Sequence, residues 1–258
     1  MSILESAALS DVGCVRITNQ DRMFAKTGYI NGNHCGLFAV ADGMGGLSEG
    51  EHAAIKAVDA LEQWWNTKLH LLVGYTAFNE NDITHELVNL FHTINNDIGI
   101  YSRTINAMIG TTFSVLLICN NDYYIVHAGD SRIYMVTWHG LSKQIQKLTN
   151  DHTWLAKQLQ EGAISTDDID EHSRGNKLTS CLGVLEEPEI FVSSGAVETN
   201  SLFILCSDGL HNIVDEGEVL KKATRRTTCT KLVKKLIDMA IKREAADNIT
   251  VVAVKCKK

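Results

Sequence analysis

A single proline, Pro188, stands among 258 residues, and no tract rich in Pro, Gly or Ser, no internal repeat and no low-complexity run divides the chain. Without a linker, residues 1–258 read as one large domain, long enough to bury a sizeable core. No CxxC pair occurs among the seven cysteines, an odd number scattered along the chain. Neither a disulfide framework nor a structural zinc site is indicated, and the thiols are expected to be reduced and mostly buried. No HExxH or other zinc-ligand spacing occurs among the ten histidines, so each reads as a surface or core residue. His127, His152 and His172 are kept as candidates for a general acid. No apolar run approaches the length of a membrane span, and the Met-Ser-Ile-Leu-Glu-Ser start lacks a basic segment followed by an apolar one. A cytoplasmic protein that does not engage a membrane is expected. Nor is there an excess of basic residues: 24 Lys and Arg against 31 Asp and Glu give a formal charge of -7, which repels a nucleic-acid backbone. The basic thickening at 221–235 reads as solvated helix sides.

What the chain does have is a series of short apolar runs, at 35–41, 112–119, 123–127, 132–136, 202–206 and 249–254, which read as strands. In Leu202-Phe203-Ile204-Leu205-Cys206 both alternating faces are apolar, as a strand requires when something packs on each side of its sheet. Helical stripes follow Ala53, Ala57, Leu61 and Trp65, then Ile83, Leu87, Leu90, Phe91 and Ile94, then Leu232, Val233, Leu236, Ile237 and Ala240. Being amphipathic, each helix should lie outside a sheet with one face in water. The pattern predicts an α+β fold with sheets in the middle and helices outside. Residues 154–161 fit a short helix closed by Gly162, and 151–180 read as an excursion from the core, a helix plus a flap.

Two apolar strands end in Asp-Gly, at Asp42-Gly43 and at Asp208-Gly209, and a third runs into Gly129-Asp130. Asp247-Asn248 precedes the last strand, and Asp21 lies in a polar segment ahead of the first. An isolated Asp-Gly is usually a turn. Gly43-Met44-Gly45-Gly46 holds more glycine than a turn needs, which points to close approach of the backbone to a ligand. Were Asp42 and Asp208 to meet about 4 Å apart, they would repel by about 4 kcal/mol at an effective dielectric of roughly 20. Such a cluster persists at neutral pH by sharing protons or by holding hard cations, and an all-oxygen ligand set suits Mg²⁺ or Mn²⁺ rather than zinc.

Taken in order, these segments resemble the PPM family, the metal-dependent serine/threonine protein phosphatases of the protein phosphatase 2C type, in its compact bacterial form. The blocks are Ser10-Asp11-Val12-Gly13, Val15-Arg16-Ile17-Thr18-Asn19-Gln20-Asp21, Val40-Ala41-Asp42-Gly43-Met44-Gly45-Gly46 and Gly110-Thr111-Thr112. Gly129-Asp130-Ser131-Arg132, Leu148-Thr149-Asn150-Asp151-His152, Cys206-Ser207-Asp208-Gly209-Leu210 and Asp247-Asn248-Ile249-Thr250 complete the series.

The resemblance implies a four-layer α/β/β/α sandwich of two antiparallel sheets flanked by helices, acting as a monomer on proteins phosphorylated by a Ser/Thr kinase. It implies two Mn²⁺ or Mg²⁺ ions bridged by water, whose hydroxide attacks the phosphoryl group in line. Asp42 would bridge both ions, the Gly43 carbonyl would bind one, and Asp208 and Asp247 the other. Asp21 would act through metal-bound water, Asp130 at a third, weaker site. Arg16 matches the arginine that grips phosphate with its fork, and Asn248 would orient the site by hydrogen bonds. Met44 stands where animal members carry a histidine proposed as general acid, so the proton donor is unassigned. His172-Ser173-Arg174 and Ala245-Ala246 also depart from the usual pattern, touching loop shape more than ligands. The competing expectation is a pseudophosphatase, a binding module that has lost catalysis; it predicts missing aspartates, and none is missing. A haloacid dehalogenase-like enzyme would want a second Asp at position 44, where Met44 stands.

Overall fold

Buried apolar side chains fall into three separate clusters, and these define the layers of the molecule. The computed structural model describes residues 3–46, 49–73, 80–140, 142–163 and 177–257. In chain order the strands are β1 (Ile3–Asp11), β2 (Asp21–Ile30), β3 (Asn33–Met44), β4 (Gly110–Thr111), β5 (Phe113–Cys119), β6 (Asp122–Ala128), β7 (Arg132–His139), β8 (Ser142–Lys147), β9 (Phe191–Ala196), β10 (Leu202–Cys206) and β11 (Ile249–Lys257). The helices are α1 (Glu49–Thr67), α2 (Leu69–Leu72), α3 (Glu80–Ile105), α4 (Trp154–Gln160), α5 (Asp208–His211), α6 (Glu216–Lys222) and α7 (Cys229–Lys242).

One sheet has the order β1-β11-β10-β7-β8, the other β2-β3-β5-β6-β9 with β4 paired to β3, and every pairing is antiparallel. Between the sheets lies a cluster built on Phe38, Leu116, Ile125, Phe203, Leu205 and Val252. A second cluster joins β3 and β5 to Leu61, Trp65, Leu87 and Phe91 of α1 and α3. A third joins β10 and β11 to Leu232, Leu236 and Ile237 of α7. The helices thus cover the two outer faces, giving the expected α/β/β/α layering, and the strands buried on both faces, β5 and β10, sit at its centre.

Antiparallel pairing places several strand ends together. The termini of the chain pair along β1 and β11, from Ile3 opposite Lys257 to Asp11 opposite Ile249. β3 reaches Asp42 opposite Asp21, the first residue of β2, so Asp21 opens a strand rather than lying in a polar segment ahead of the first. β10 stops just before Asp208, where the adjacent β11 starts just after Asp247. Between β6 of one sheet and β7 of the other, the corner at Gly129-Asp130 crosses from sheet to sheet.

One expectation about cysteine is corrected. Cys35 and Cys119 stand directly opposite each other in the β3–β5 register and are joined as a disulfide, with 84 residues between them in the chain. Spacing along the sequence cannot reveal a cross-strand pair of this kind. The other five thiols are free, Cys14 exposed and Cys181, Cys206, Cys229 and Cys256 buried. In the expected excursion, Thr153 caps α4 by accepting the Ala156 N–H, and Gly162 takes φ of +68° just beyond it. The flap residues 164–176, His172 included, lie outside the described residues. Among the described residues no helix is long and apolar enough to cross a membrane.

Candidate active site

The strand ends gathered at one edge of the sandwich open onto a pocket of about 300 Å³. Asp42 and Gly43 at the end of β3, Asp130 at the intersheet corner, Asp208 at the start of α5, Asp247 before β11, and Arg16 from the 12–20 loop all line it. Met44 lines it too, and no histidine among the described residues does. Asp21 lies underneath, 2 % exposed, with Oδ2 accepting a 2.7 Å hydrogen bond from the Ser207 hydroxyl. Gly43 has no room for a side chain: a Cβ there would come within 2.1 Å of the Gly50 carbonyl oxygen in α1. The backbone on either side of that contact is therefore drawn tightly against the first turn of the helix.

The electrostatics of this group are unfavourable by themselves. Burial pushes the Asp42 carboxyl well above the usual carboxylate range, and the charges of Asp21, Asp208, Asp130 and Asp247 push it further. Asp21 is raised to about 6, chiefly by burial, against the lowering effect of its hydroxyl donors Thr250 and Ser207. Asp130 is raised to about 7 by burial and by the charges of Asp208 and Asp151. Asp208 is raised by burial and by Asp247, while a hydrogen bond with Asp42 works the other way. Five aspartates thus bear on one another in a small volume.

Arg16 is the cation of the site. Its Nε donates to Asp247 Oδ1 at 2.9 Å and its Nη2 to Asp247 Oδ2 at 2.7 Å, a two-pronged pair open to solvent. Asn248 does not line the pocket. Its Oδ1 accepts the Gln20 N–H at 2.8 Å and its Nδ2 donates to the carbonyls of Val12 and Thr18, tying the loop that carries Arg16 to the start of β11.

Of the histidines considered as acids, the two that lie among the described residues, His127 and His152, stand outside the pocket. His127 is wholly buried and held neutral, its pKa pushed down to about 3 by burial and by neighbouring His152. His152 is 4 % exposed and uses Nδ1 to accept the Gly129 N–H at 3.1 Å. Reasoning from sequence passed over His211, whose Nε2 donates to the Asp130 carbonyl at 3.0 Å and so fixes that corner. The available signal was position: His211 comes three residues after the strand-end Asp208, one helical turn along α5. The ion pair of Arg132 with Asp151 was also missed, and no local spacing announces it.

The donor set fits a hard divalent cation. Asp21 Oδ1 and Asp208 Oδ1 are buried without a hydrogen-bond partner, and buried carboxylate oxygens left in that state are costly unless something positive meets them. All the convergent donors are oxygens, as Mg²⁺ or Mn²⁺ prefers. Among the described residues no group of three or more His, Cys, Asp or Glu side chains is so placed that it could hold a metal ion in this arrangement, and Asp247 faces Arg16.

A family model described as Protein phosphatase 2C matches residues 15–240. The serine/threonine phosphatase stp of Listeria monocytogenes is 31% identical over 248 residues, covering 95% of this chain and 93% of that protein. Protein phosphatase PhpP of Streptococcus pneumoniae is 27% identical over 252 residues, 97% of each chain. Among solved structures, the serine/threonine phosphatase PstP/Ppp of Mycobacterium tuberculosis is similar with a TM-score of 0.83 and 26% identity, covering 100% of both chains. The catalytic domain of PstP in complex with 2 manganese ions is similar with a TM-score of 0.78 and 25% identity, again over 100% of both. Since the family model spans most of the sequence and the layers match end to end, this chain belongs to the protein phosphatase 2C family and is a protein phosphatase.

Proposed function

We propose that this chain hydrolyses phosphoserine and phosphothreonine monoesters on proteins phosphorylated by a Ser/Thr kinase, with a pair of divalent ions held at the pocket. The names of several relatives, among them the serine/threonine phosphatases of Listeria monocytogenes and Mycobacterium tuberculosis, support the substrate class. The observation that carries the reading is the convergence of Asp42, Asp130, Asp208 and Asp247 from four remote stretches onto one pocket, with Asp21 buried beneath.

Asp42, the Gly43 carbonyl, Asp208 and Asp247 would hold the pair, Asp21 would act on it through water, and Asp130 would serve a third, weaker site. When bound, such ions acidify water to a nucleophile usable near neutral pH and offset the charge of the phosphoryl oxygens. The remaining work falls to the protein. Arg16 is the one guanidinium lining the pocket among the described residues, and its planar fork matches two phosphoryl oxygens as well as it matches Asp247. Asn248 holds the Arg16 loop in register with Asp247, so phosphate recognition and ligand placement share an anchor.

The test is hydrolysis of a phosphothreonine peptide by the purified chain in Mn²⁺. Excess chelator should remove the activity, and Asp208→Ala should lower kcat by about 10³-fold while the variant keeps a cooperative melt. Turnover undiminished in excess chelator would end this reading.

A further inference from the structure

Behind the acidic pocket runs a chain of buried hydroxyls that the proposed reaction does not itself use. Thr112, Ser114, Ser131 and His127 are each at most 2 % exposed. The Thr112 N–H donates to the Asp42 carbonyl at 2.9 Å, and Thr112 Oγ1 accepts the Asp42 N–H at 3.0 Å. Asp42 is thereby clasped through both of its backbone groups. The same Oγ1 lies 2.8 Å from Ser131 Oγ, and Ser131 directly follows Asp130. One contact between two hydroxyls therefore joins the backbone of Asp42, in one sheet, to the corner that carries Asp130.

The support beneath is ordered by proton count. His127 Nε2 is 3.0 Å from the Asn150 carbonyl, which can only accept, so the ring hydrogen resides on Nε2. Nδ1 is then an acceptor, and the Ser114 hydroxyl donates to it at 2.8 Å. Ser114 Oγ also lies 3.3 Å from the Ser131 carbonyl, placing it against the corner. On the far side, the stretch that supplies the Asn150 carbonyl continues to His152, whose N–H donates to the Gly129 carbonyl at 2.7 Å. A buried network with each of these side chains partnered favours a single arrangement, because any shift leaves a polar atom unpaired.

We propose that Thr112 and Ser131 are positioning residues that set the separation of Asp42 from Asp130, with Ser114 and His127 as their support; this rests on the phosphatase reading above. Asp208 and Asp247 are carried by β10, α5 and β11, which the bridge does not touch. Loss of the bridge should therefore fall on the metal step that involves Asp130 and on turnover, and should spare phosphate recognition by Arg16.

The full chain, stripped of metal, is titrated with Mn²⁺ by calorimetry and by electron paramagnetic resonance, and kcat and KM are measured with p-nitrophenyl phosphate. Thr112→Val and Ser131→Ala should each weaken the weakest class of Mn²⁺ site at least about fivefold and lower kcat about tenfold, with KM held within about twofold. Thr112→Ser keeps the hydroxyl and should behave as the parent chain. If Thr112→Val and Ser131→Ala keep parental Mn²⁺ binding and kcat, the proposal is overturned. It is equally overturned if Thr112→Ser falls as far as Thr112→Val, since methyl packing would then explain both. Where Thr112→Val melts without cooperativity, Ser131→Ala and Thr112→Ser decide the matter. A parent chain that neither binds Mn²⁺ nor hydrolyses the ester sinks the phosphatase reading itself, an outcome visible before any variant is made.

Discussion

Asp151 takes two cations at once. Arg132 reaches both of its oxygens, with Nε at 3.1 Å from each and Nη2 at 2.7 Å from Oδ2, while Lys147 Nζ donates to Oδ1 at 3.1 Å. The pair is largely out of solvent, with the carboxylate 11% and the guanidinium 23% exposed. Burial alone would raise the Asp151 carboxyl, but hydrogen bonding and charge from Arg132, with Lys147 behind, hold it below the usual range. Asp151→Ala would leave the Arg132 charge half-buried and uncompensated, and we expect a loss of about 3 kcal/mol, read as a lower urea midpoint. A depressed carboxyl contributes stability above its unfolded pKa and loses it as pH falls through the folded value. The gap between the parent chain and Asp151→Ala should therefore narrow below about pH 4; a gap that stays constant to pH 3 would show that lost packing, not charge, is responsible. Residues of this kind were hidden from sequence reading, because Arg132 and Asp151 are brought together by a strand and a loop rather than by helical spacing. Asp42 and Asp208 were legible for the opposite reason: each closes an apolar run, and a charge followed by glycine at such a place needs a local cause.

At the scale of elements, legibility followed burial. The strands recognisable as apolar runs were β3, β5, β6, β7, β10 and β11, which are buried over most or all of their length. β1, β2, β8 and β9 carry no such run. They stand at the edges of the two sheets and expose residues along their length, β8 and β9 in strict alternation, so no apolar run marks them. For the same reason the sequence shows Asp21 only as part of a polar segment, although it opens β2. The short α5 was likewise invisible, since a four-residue helix shows no period. What fixes α5 is contact: a Cβ on Gly209 would lie 2.0 Å from the Asn248 carbonyl oxygen. The first turn of α5 is thus pressed against the backbone that leads from Asp247 into β11, and glycine is required for the approach rather than for its φ. Gly209→Ala must push these two elements apart, and overpacking of this kind costs about 3 kcal/mol. The urea midpoint should fall, and Mn²⁺ affinity should fall with it because Asp208 and Asp247 flank the contact. A Gly209→Ala variant of parental stability would show that the two elements can slide without cost.

Across the whole molecule, a formal charge of -7 sits over a pocket where several carboxyls already resist ionisation. The folded values of about 6 for Asp21 and about 7 for Asp130 lie above the unfolded 3.8. A carboxyl raised in this way favours the folded state when protonated, so its contribution is complete below the unfolded value and is lost as pH rises through the folded one. Metal-stripped protein should therefore melt at a higher temperature at pH 6.5 than at pH 8. Below pH 6.5 the sign changes for the buried histidines: His127, with a folded value of about 3, His211, with about 4, and His152, also lowered by burial, oppose further acidification because the unfolded chain takes up those protons first. Divalent metal should invert the upper half of this profile. Ions that bind only the folded chain stabilise it by mass action, about 2.7 kcal/mol at a hundredfold excess over Kd, and they compete with protons for the same oxygens. With saturating Mn²⁺ the melting temperature should thus rise from pH 6.5 to pH 8, opposite to the stripped protein. Two parallel curves would show that the ions bind away from the aspartates, and with them would go the assignment of Asp42, Asp208 and Asp247 as ligands.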